Sequence, residues 1–553
     1  MTASTIVNFV NLTGWAYDGA RNAIHMAGPG GLVRTWNLDA QQFTGSFQAG
    51  GNPSSLDITA GDGYLLVGNG EVVPTGNSSG VGPLYAAEVA RVNLTTGAVE
   101  KFQVTLTDGA ERGVNDLAIG ADNEALVTTN YSGSAWVKLR KFQVDAAAPE
   151  FKQFPGLTGD VVNRSFAAAS EDRRYILIEE GNIGDGPLRI YDSVSNSFIA
   201  KTTLREVGAN GFNTGKGDIS SAAGLVSDVL RDNVFVFDLQ LKLVADLTRF
   251  TANASVVGAE FNDGGHQLFL WQGPLKNVLV IDTLSWKQVG SFGVDTMTRP
   301  ADGLEVMPHG EMDVIAGGRG LILDFGNGLE VVDLAAKLKI EITGDATNQV
   351  LHGAIGADRL LGEGGSDTIY GYEGQDFIRG GEGDDLLVGG KDFDDLHGNQ
   401  GNDTVRGGQG DDWVVGGQGH DMLFGDLGND LVFGNMGADT CEGSAGNDTI
   451  RGGQDGDLIF GGDGDDWISG DLGNDTLSGG AGADTFNFFA GSGVDRVMDF
   501  SPSEGDRVRI EGGVTTYTVA QQGGDTVVTV GDAQMVLVGV QASALPAGWI
   551  FVA

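Results

Sequence analysis

The chain has 553 residues, with 75 Asp and Glu against 33 Lys and Arg, and its formal net charge of −42 excludes nucleic acid as an ordinary partner and disfavours anionic lipid surfaces. One cysteine rules out an intramolecular disulfide, and no apolar run reaches the roughly eighteen residues that a membrane span needs. A chain of this length is expected to fold as at least two domains.

The first ten residues carry no basic stretch and no long apolar core before a cleavage site, so no Sec-type leader is expected. Residues 1–340 alternate β-branched and polar residues in a loose repeat. Its mark is a strand ending near an Asp or Asn, seen at 32–39, 89–94, 137–145, 188–192, 234–238, 278–282 and 329–333. Most are preceded by a turn and another strand, such as Gly61-Asp62-Gly63 before YLLVG. Seven units of four short strands predict a β-propeller, with the terminal carboxylates opening tight turns rather than serving chemistry. Residues 5–12 are expected to complete the last blade and remove two exposed edges. This region resembles seven-bladed propellers of the broad YVTN/WD-like type, a resemblance of architecture that names no substrate.

Catalytic patterns are sparse here. No HExxH is present. Gly76-Asn77-Ser78-Ser79-Gly80 matches G-x-S-x-G in letters, but no apolar strand leads into it and no helix follows. His25, His266 and His309 have no companions in sequence that suggest a site. The loops 181–186 and 208–217 are candidates to line a binding face.

From Gly353 to Asn487 a nine-residue unit repeats fifteen times in frame, as in GGEGDDLLV, GNQGNDTVR and GGDGDDWIS. Position six is always Asp: Asp358, Asp367, Asp376, Asp385, Asp394, Asp403, Asp412, Asp421, Asp430, Asp439, Asp448, Asp457, Asp466, Asp475 and Asp484. Position eight is always apolar, from Leu360 to Phe486, which an acidic disordered tract would not maintain. Glycines at positions one, two and four predict turns with positive φ, and the last three residues of each unit predict a very short strand. Two units then make one coil, so units i and i+2 stack with their aspartates facing a common gap that turn carbonyls also enter. Hard oxygen donors on a flexible frame suit Ca²⁺ better than Mg²⁺, and the scarcity of thiolate and imidazole argues against zinc or copper. Residues 344–487 hold 29 Asp and Glu against 5 Lys and Arg, a net of −24. About 13 divalent ions, one per i/i+2 pair, nearly cancel that charge.

The array resembles the RTX, or hemolysin-type, calcium-binding nonapeptide of secreted bacterial proteins. The resemblance implies a parallel β-roll binding several Ca²⁺ ions through the fifteen aspartates, an extracellular or cell-surface location, and export by type I secretion machinery from an uncleaved C-terminal signal. Some units depart from the pattern. Asp392 and Asp455 replace the position-four glycine, and the preceding unit 344–352 has Gln349 in place of Asp, as expected of a non-binding cap. Cys441 stands at a core position, while His352, His397 and His420 are expected to face solvent.

Residues 488–553 resemble the segment that commonly follows such rolls. Alternating stretches from 514 onward predict a small antiparallel β-cap over the open end of the last coil, and the hydrophobic tail fits a secretion signal. The expectation is therefore all-β: a seven-bladed propeller over 1–340, a roll over 344–487 and a cap over 488–553. No catalytic constellation is visible. The expected role is calcium-triggered folding outside the cell, with a propeller that recognises a surface polysaccharide or protein or supports self-association in a matrix or surface layer. An extracellular hydrolase or lactonase is the alternative.

Overall fold

A computed structural model describes residues 4–9, 12–59, 63–78, 82–106, 111–131, 139–147, 151–153, 165–180, 187–203, 218–230, 233–250, 256–272, 275–294, 312–315, 319–325, 328–511 and 516–552. The chain divides into two compact units, Met1–Lys337 and Leu338–Ala553. The loops 181–186 and 208–217, His309, Ser79 and Gly80 lie outside the described residues.

The first unit is a seven-bladed β-propeller, each blade an antiparallel sheet of four strands with one hairpin strand added in the second. The seven strands marked in sequence are the third strands of the blades, for example Pro187–Asp192, Asn233–Asp238 and Asn277–Asp282. Their terminal carboxylates do the turn work expected of them. Asp192 accepts the Val194 and Ser195 N–H groups at 3.0 and 3.3 Å, and Asp238 those of Gln240 and Lys242 at 3.0 and 2.9 Å. The backbone of Gly76–Ser78 lies in the added strand, Val73–Ser78, antiparallel to Gly82–Asn93. That is not the strand-to-helix elbow a serine nucleophile needs.

The ring closes as the alternation predicts. Ser4–Asn8 pairs antiparallel with Gly328–Asp333 and supplies the outer strand of the last blade. Val7 is 1% exposed and packs in a cluster with Leu329, Val331 and Ile322. A charge there has no partner, so Val7→Asp is expected to cost about 3 kcal/mol or more. Calorimetry should show the propeller transition lowered and the second unit's transition unmoved.

The second unit is a parallel β-roll. Its coils are 18 residues long, with Leu360 opposite Ile378 on one sheet and Ile369 opposite Leu387 on the other. Every position-eight side chain is 0% exposed, Cys441 included, so one apolar residue per half-coil fills the space between the two sheets. The strands are longer than the sequence pattern suggests. They run for six residues, as in Thr368–Glu373 and Thr404–Gln409, crossing from one unit into the first three positions of the next. The position-one glycine interrupts pairing in mid-strand, and hydrogen bonding resumes beyond it.

The C-terminal segment is less a separate antiparallel cap than an extension of both sheets. Thr518–Gln522, Asp525–Val530 and Ala533–Leu537 form an antiparallel meander, but its last strand joins Val494–Val497 in parallel. Ile550–Val552 likewise adds in parallel beside Arg507–Ile510 on the other sheet. Phe486 and Phe488 are fully buried under this extension, with Phe500 packed between Phe486 and Trp549. The open end of an apolar stack needs such a cover, and continuing the sheets supplies one that also pairs the edge strands.

Candidate metal centre

Each coil turns twice, and each turn places a position-six aspartate under the strand that follows it. The carboxylates form two rails, one along each edge of the roll, because stacked units are 18 residues apart. Along each rail the backbone N–H of one aspartate donates to the Oδ1 of the next: Asp376 to Asp394 at 2.8 Å, Asp394 to Asp412 at 2.9 Å and Asp412 to Asp430 at 2.7 Å. The other rail runs in the same way through Asp385, Asp403, Asp421 and Asp439. One oxygen of each carboxylate is thereby spent on structure.

The second oxygen is not. From Asp367 to Asp484 every position-six Oδ2 is buried and has no hydrogen-bond partner. A buried carboxylate oxygen with nothing to accept from costs several kcal/mol unless a cation or proton meets it. The glycine at position one shows where that cation belongs. A Cβ on Gly362 would lie 2.3 Å from the Asp367 Oδ2 and 2.4 Å from the carbonyl oxygen of Gly380, one coil on. The same convergence recurs at Gly371, Gly389, Gly407, Gly425 and Gly461. Carboxylate and carbonyl oxygens therefore meet in a space kept open by the missing side chain. Among the described residues no three His, Cys, Asp or Glu side chains converge on a point, so an ion held here takes most of its donors from main-chain carbonyls. An oxygen-only set of this kind fits Ca²⁺.

The glycines thus divide their labour differently from the sequence expectation. Positive φ falls at positions two and four, as at Gly390 (126°) and Gly401 (127°), whereas position one needs glycine for room. Position two accommodates Glu363, Tyr372 and Asn435 at φ of 72–82°. Asp392 and Asp455 take φ of 70° and 74° at position four, and the turns they belong to keep the orphaned oxygens of Asp394 and Asp457.

The first rung is closed differently. Asp358 Oδ2 accepts the Ala354 N–H at 2.6 Å, so this aspartate, unlike the other fourteen, has no spare oxygen. Gln349 similarly accepts from Asp345 N–H at 2.9 Å while its own N–H donates to Asp367. At the start of the array, N–H groups stand where cations would be needed further along.

Position five forms an outer ladder that the sequence pattern did not reveal. Asn429 N–H donates to Asp411, Asn447 N–H to Asn429, and Asp465 N–H to Asn447, at 2.7–2.9 Å. The abundance of Asn and Asp at that position was the available signal. His420 belongs to this ladder: its Nδ1 accepts the Ala438 N–H at 2.9 Å, so a hydrogen-bonding role adds to its exposure. His352 and His397 correct the expectation of solvent-facing histidines. His352 is 7% exposed and stacks on Tyr370 and Tyr372, because the first coil has aromatic neighbours to cover it. His397 is half-buried, 3.0 Å from Asp395 and edge-on to Trp413.

Without a cation, burial pushes the rail carboxyls up, Asp376 to about 9, Asp394 to about 8 and Asp385 to about 6, with neighbouring aspartates adding to the shift. Carboxyls raised above their unfolded value stabilise the fold while protonated, and that contribution is lost as pH rises through the folded values. In chelator, roll β-signal is therefore expected at pH 5.5 and should fade towards pH 9, whereas millimolar calcium should abolish the dependence. Circular dichroism across that range checks the sign, and an opposite slope would refute it.

In the propeller, first strands of several blades aim carboxylates at a central cavity of about 730 Å³. Some of them knit the ring. Asp57 accepts the Ile119 N–H at 2.7 Å, Asp116 that of Ala167 at 3.1 Å and Asp218 that of Phe261 at 3.0 Å, each reaching the next blade. Arg173 is held by Asp57 at 3.0 Å. Glu260 and Asp313 also line the cavity. Burial, compounded by Asp218, raises Asp313 to about 7 and holds Glu260 well above the usual carboxylate range. His25 is buried between Thr35 (3.0 Å) and Asp18 (3.3 Å), a structural tie inside the first blade.

The model of the RTX calcium-binding nonapeptide repeat matches residues 343–378, 352–387, 379–414, 388–423, 415–450 and 451–486. No curated protein matches the chain. Among solved structures, hydrazine synthase of Kuenenia stuttgartiensis is similar at 12% identity and a TM-score of 0.45, covering 60% of this chain and 98% of that one. The Cps50 (Swd1) β-propeller domain of Myceliophteria thermophila is similar at 12% identity and a TM-score of 0.43, covering 60% and 99%.

Proposed function

We propose that the chain, whose residues 343–486 carry calcium-binding nonapeptides, is a secreted protein that completes its fold on calcium outside the cell and presents the propeller as a recognition head. The observation that carries this is the double rail of buried carboxylates from Asp367 to Asp484, each with one unpartnered oxygen. Such a structure is costly where calcium is scarce and stable where it is millimolar, so binding energy becomes folding energy after export. The fourteen aspartates from Asp367 to Asp484, through Oδ2, make up the proposed ligand set, and Asp358, with both carboxylate oxygens tied to N–H groups, closes the array at its start. Type I secretion machinery is the proposed export partner. Proposed ligands of the head are surface polysaccharides or envelope proteins, and self-association in a matrix or surface layer is open to it.

Titration calorimetry of the calcium-loaded chain against surface polysaccharides and envelope fractions tests the recognition role. Saturable heat that disappears when the channel is altered by Glu260→Gln supports it, and no heat with any fraction counts against it. Light scattering during calcium addition separates a monomeric head from an assembling one. The converging carboxylates of the channel favour one second reading, an extracellular hydrolase or lactonase in which Asp313, raised to about 7, or Glu260, held well above the usual carboxylate range, acts as general acid. Turnover of an ester and lactone panel, lost in Asp313→Asn, would support that reading.

A further inference from the structure

The nonapeptide frame ends at Asn487, but the rails do not. Asp475 N–H donates to Asp495 Oδ1 at 3.2 Å, across 20 residues instead of 18. The turn leading to Asp495 reproduces a repeat turn in its main chain. Gly491 and Gly493 have φ of 90° and 116°, the sense found at positions two and four. Gly473 N–H donates to the Ser492 carbonyl at 2.7 Å, as Gly464 does to Ala481 at 2.7 Å in the array. Val494 N–H donates to Asn474 at 3.0 Å, continuing the position-five ladder. Two extra residues and Ala490 in place of glycine hide the unit from a fixed nine-residue frame.

Asp475 Oδ2 is buried and has no hydrogen-bond partner. Asp495 is 2% exposed, and the carboxyl groups of Asp475 and Asp495 lie within hydrogen-bonding reach of each other. The Ser492 hydroxyl, 3.2 Å from Asp495 Oδ2, is the remaining polar contact. Two buried carboxylates this close repel unless something positive stands between them. We infer that the turn 490–495 forms a calcium site beyond the fifteen nonapeptides, with Asp495 as its carboxylate ligand opposite Asp475. The inference rests on the calcium reading of the array.

The next turn sets the limit. Asp484 N–H donates to Asp506 Oδ1 at 3.1 Å, but Asp506 Oδ2 accepts the Ser501 N–H at 2.7 Å. That closure mirrors Asp358 with Ala354 at the opposite end, so Asp506 ends its rail without an ion of its own.

Counting bound calcium by native mass spectrometry on the full chain tests this. Asp495→Asn keeps an acceptor for the Asp475 N–H and should bind one ion fewer with an unchanged circular dichroism spectrum, while Asp506→Asn should keep the full count. An unchanged count in a folded Asp495→Asn overturns the site. Should that variant not fold, anomalous scattering from terbium-exchanged crystals of the unaltered chain decides. A peak between the turns 470–475 and 490–495 supports the site, and its absence beside peaks elsewhere in the roll overturns it. Absence of peaks throughout the roll would instead sink the calcium reading itself.

Discussion

Chelating calcium at neutral pH is expected to erase the roll's calorimetric transition and leave the propeller's transition in place. A site with ligand at 100 times its dissociation constant adds about 2.7 kcal/mol to the folded state, and a whole domain is stable by only about 5–15 kcal/mol. About a dozen such sites exceed the net stability of any domain of this size. With calcium gone, the rail carboxylates stack at the roughly 4.8 Å spacing of neighbouring strands and face one another's charge in a buried setting. The apolar filling cannot offset this, because each half-coil contributes one core residue, such as Val405 or Ile450. The propeller has its own clusters, for instance Val236, Leu268 and Ile281. Differential scanning calorimetry in millimolar calcium should show two transitions. In chelator one should remain. Two unchanged transitions would refute calcium-dependent folding of the roll.

Gly425→Val should damage the array strongly while leaving every carboxylate in place. A Cβ on Gly425 would fall 2.3 Å from Asp430 Oδ2 and 2.8 Å from the Gly443 carbonyl oxygen. Both atoms belong to the proposed cation cradle, and the carbonyl is main chain, so no side-chain rotation relieves the clash. The variant should bind at least one ion fewer and lose about 3 kcal/mol, or roughly 10 °C in the roll's melting temperature. Gln409→Ala, at an exposed position-three site, should shift the melting temperature little. Equal behaviour of the two variants would show that position one is glycine for some reason other than room.

Much of this architecture was legible because the sequence obeys simple periods. Alternation ending in a turn carboxylate located the third strand of each blade, since a tight turn must satisfy N–H groups such as those of Val194 and Gln240. The apolar residue at position eight located the roll's interior. What stayed hidden depended on stacking. The free Oδ2 of Asp430 and the tied Oδ2 of Asp358 belong to identical letters, and only the neighbouring turn's N–H distinguishes them. His352 was misplaced for a similar reason, because Tyr372, which covers it, arrives from the following coil. In the channel, Glu260 and Asp313 come from different blades, and nothing in their local sequence announces that they share a cavity.

The spacing of the rails has a consequence for how the array fills. Asp412, Asp430 and Asp448 follow one another along one edge, whereas Asp421 and Asp439 lie on the other. The N–H-to-carboxylate links on one edge join only members of their own column, so the roll is built as two parallel one-dimensional lattices joined by a thin apolar seam. A vacancy at Asp430 is transmitted to Asp412 and Asp448 before it reaches Asp421, although Asp421 is nearer in sequence. Cooperativity should therefore run lengthwise, so that a single defect divides one lattice into two shorter runs while the other continues to fill as an unbroken column.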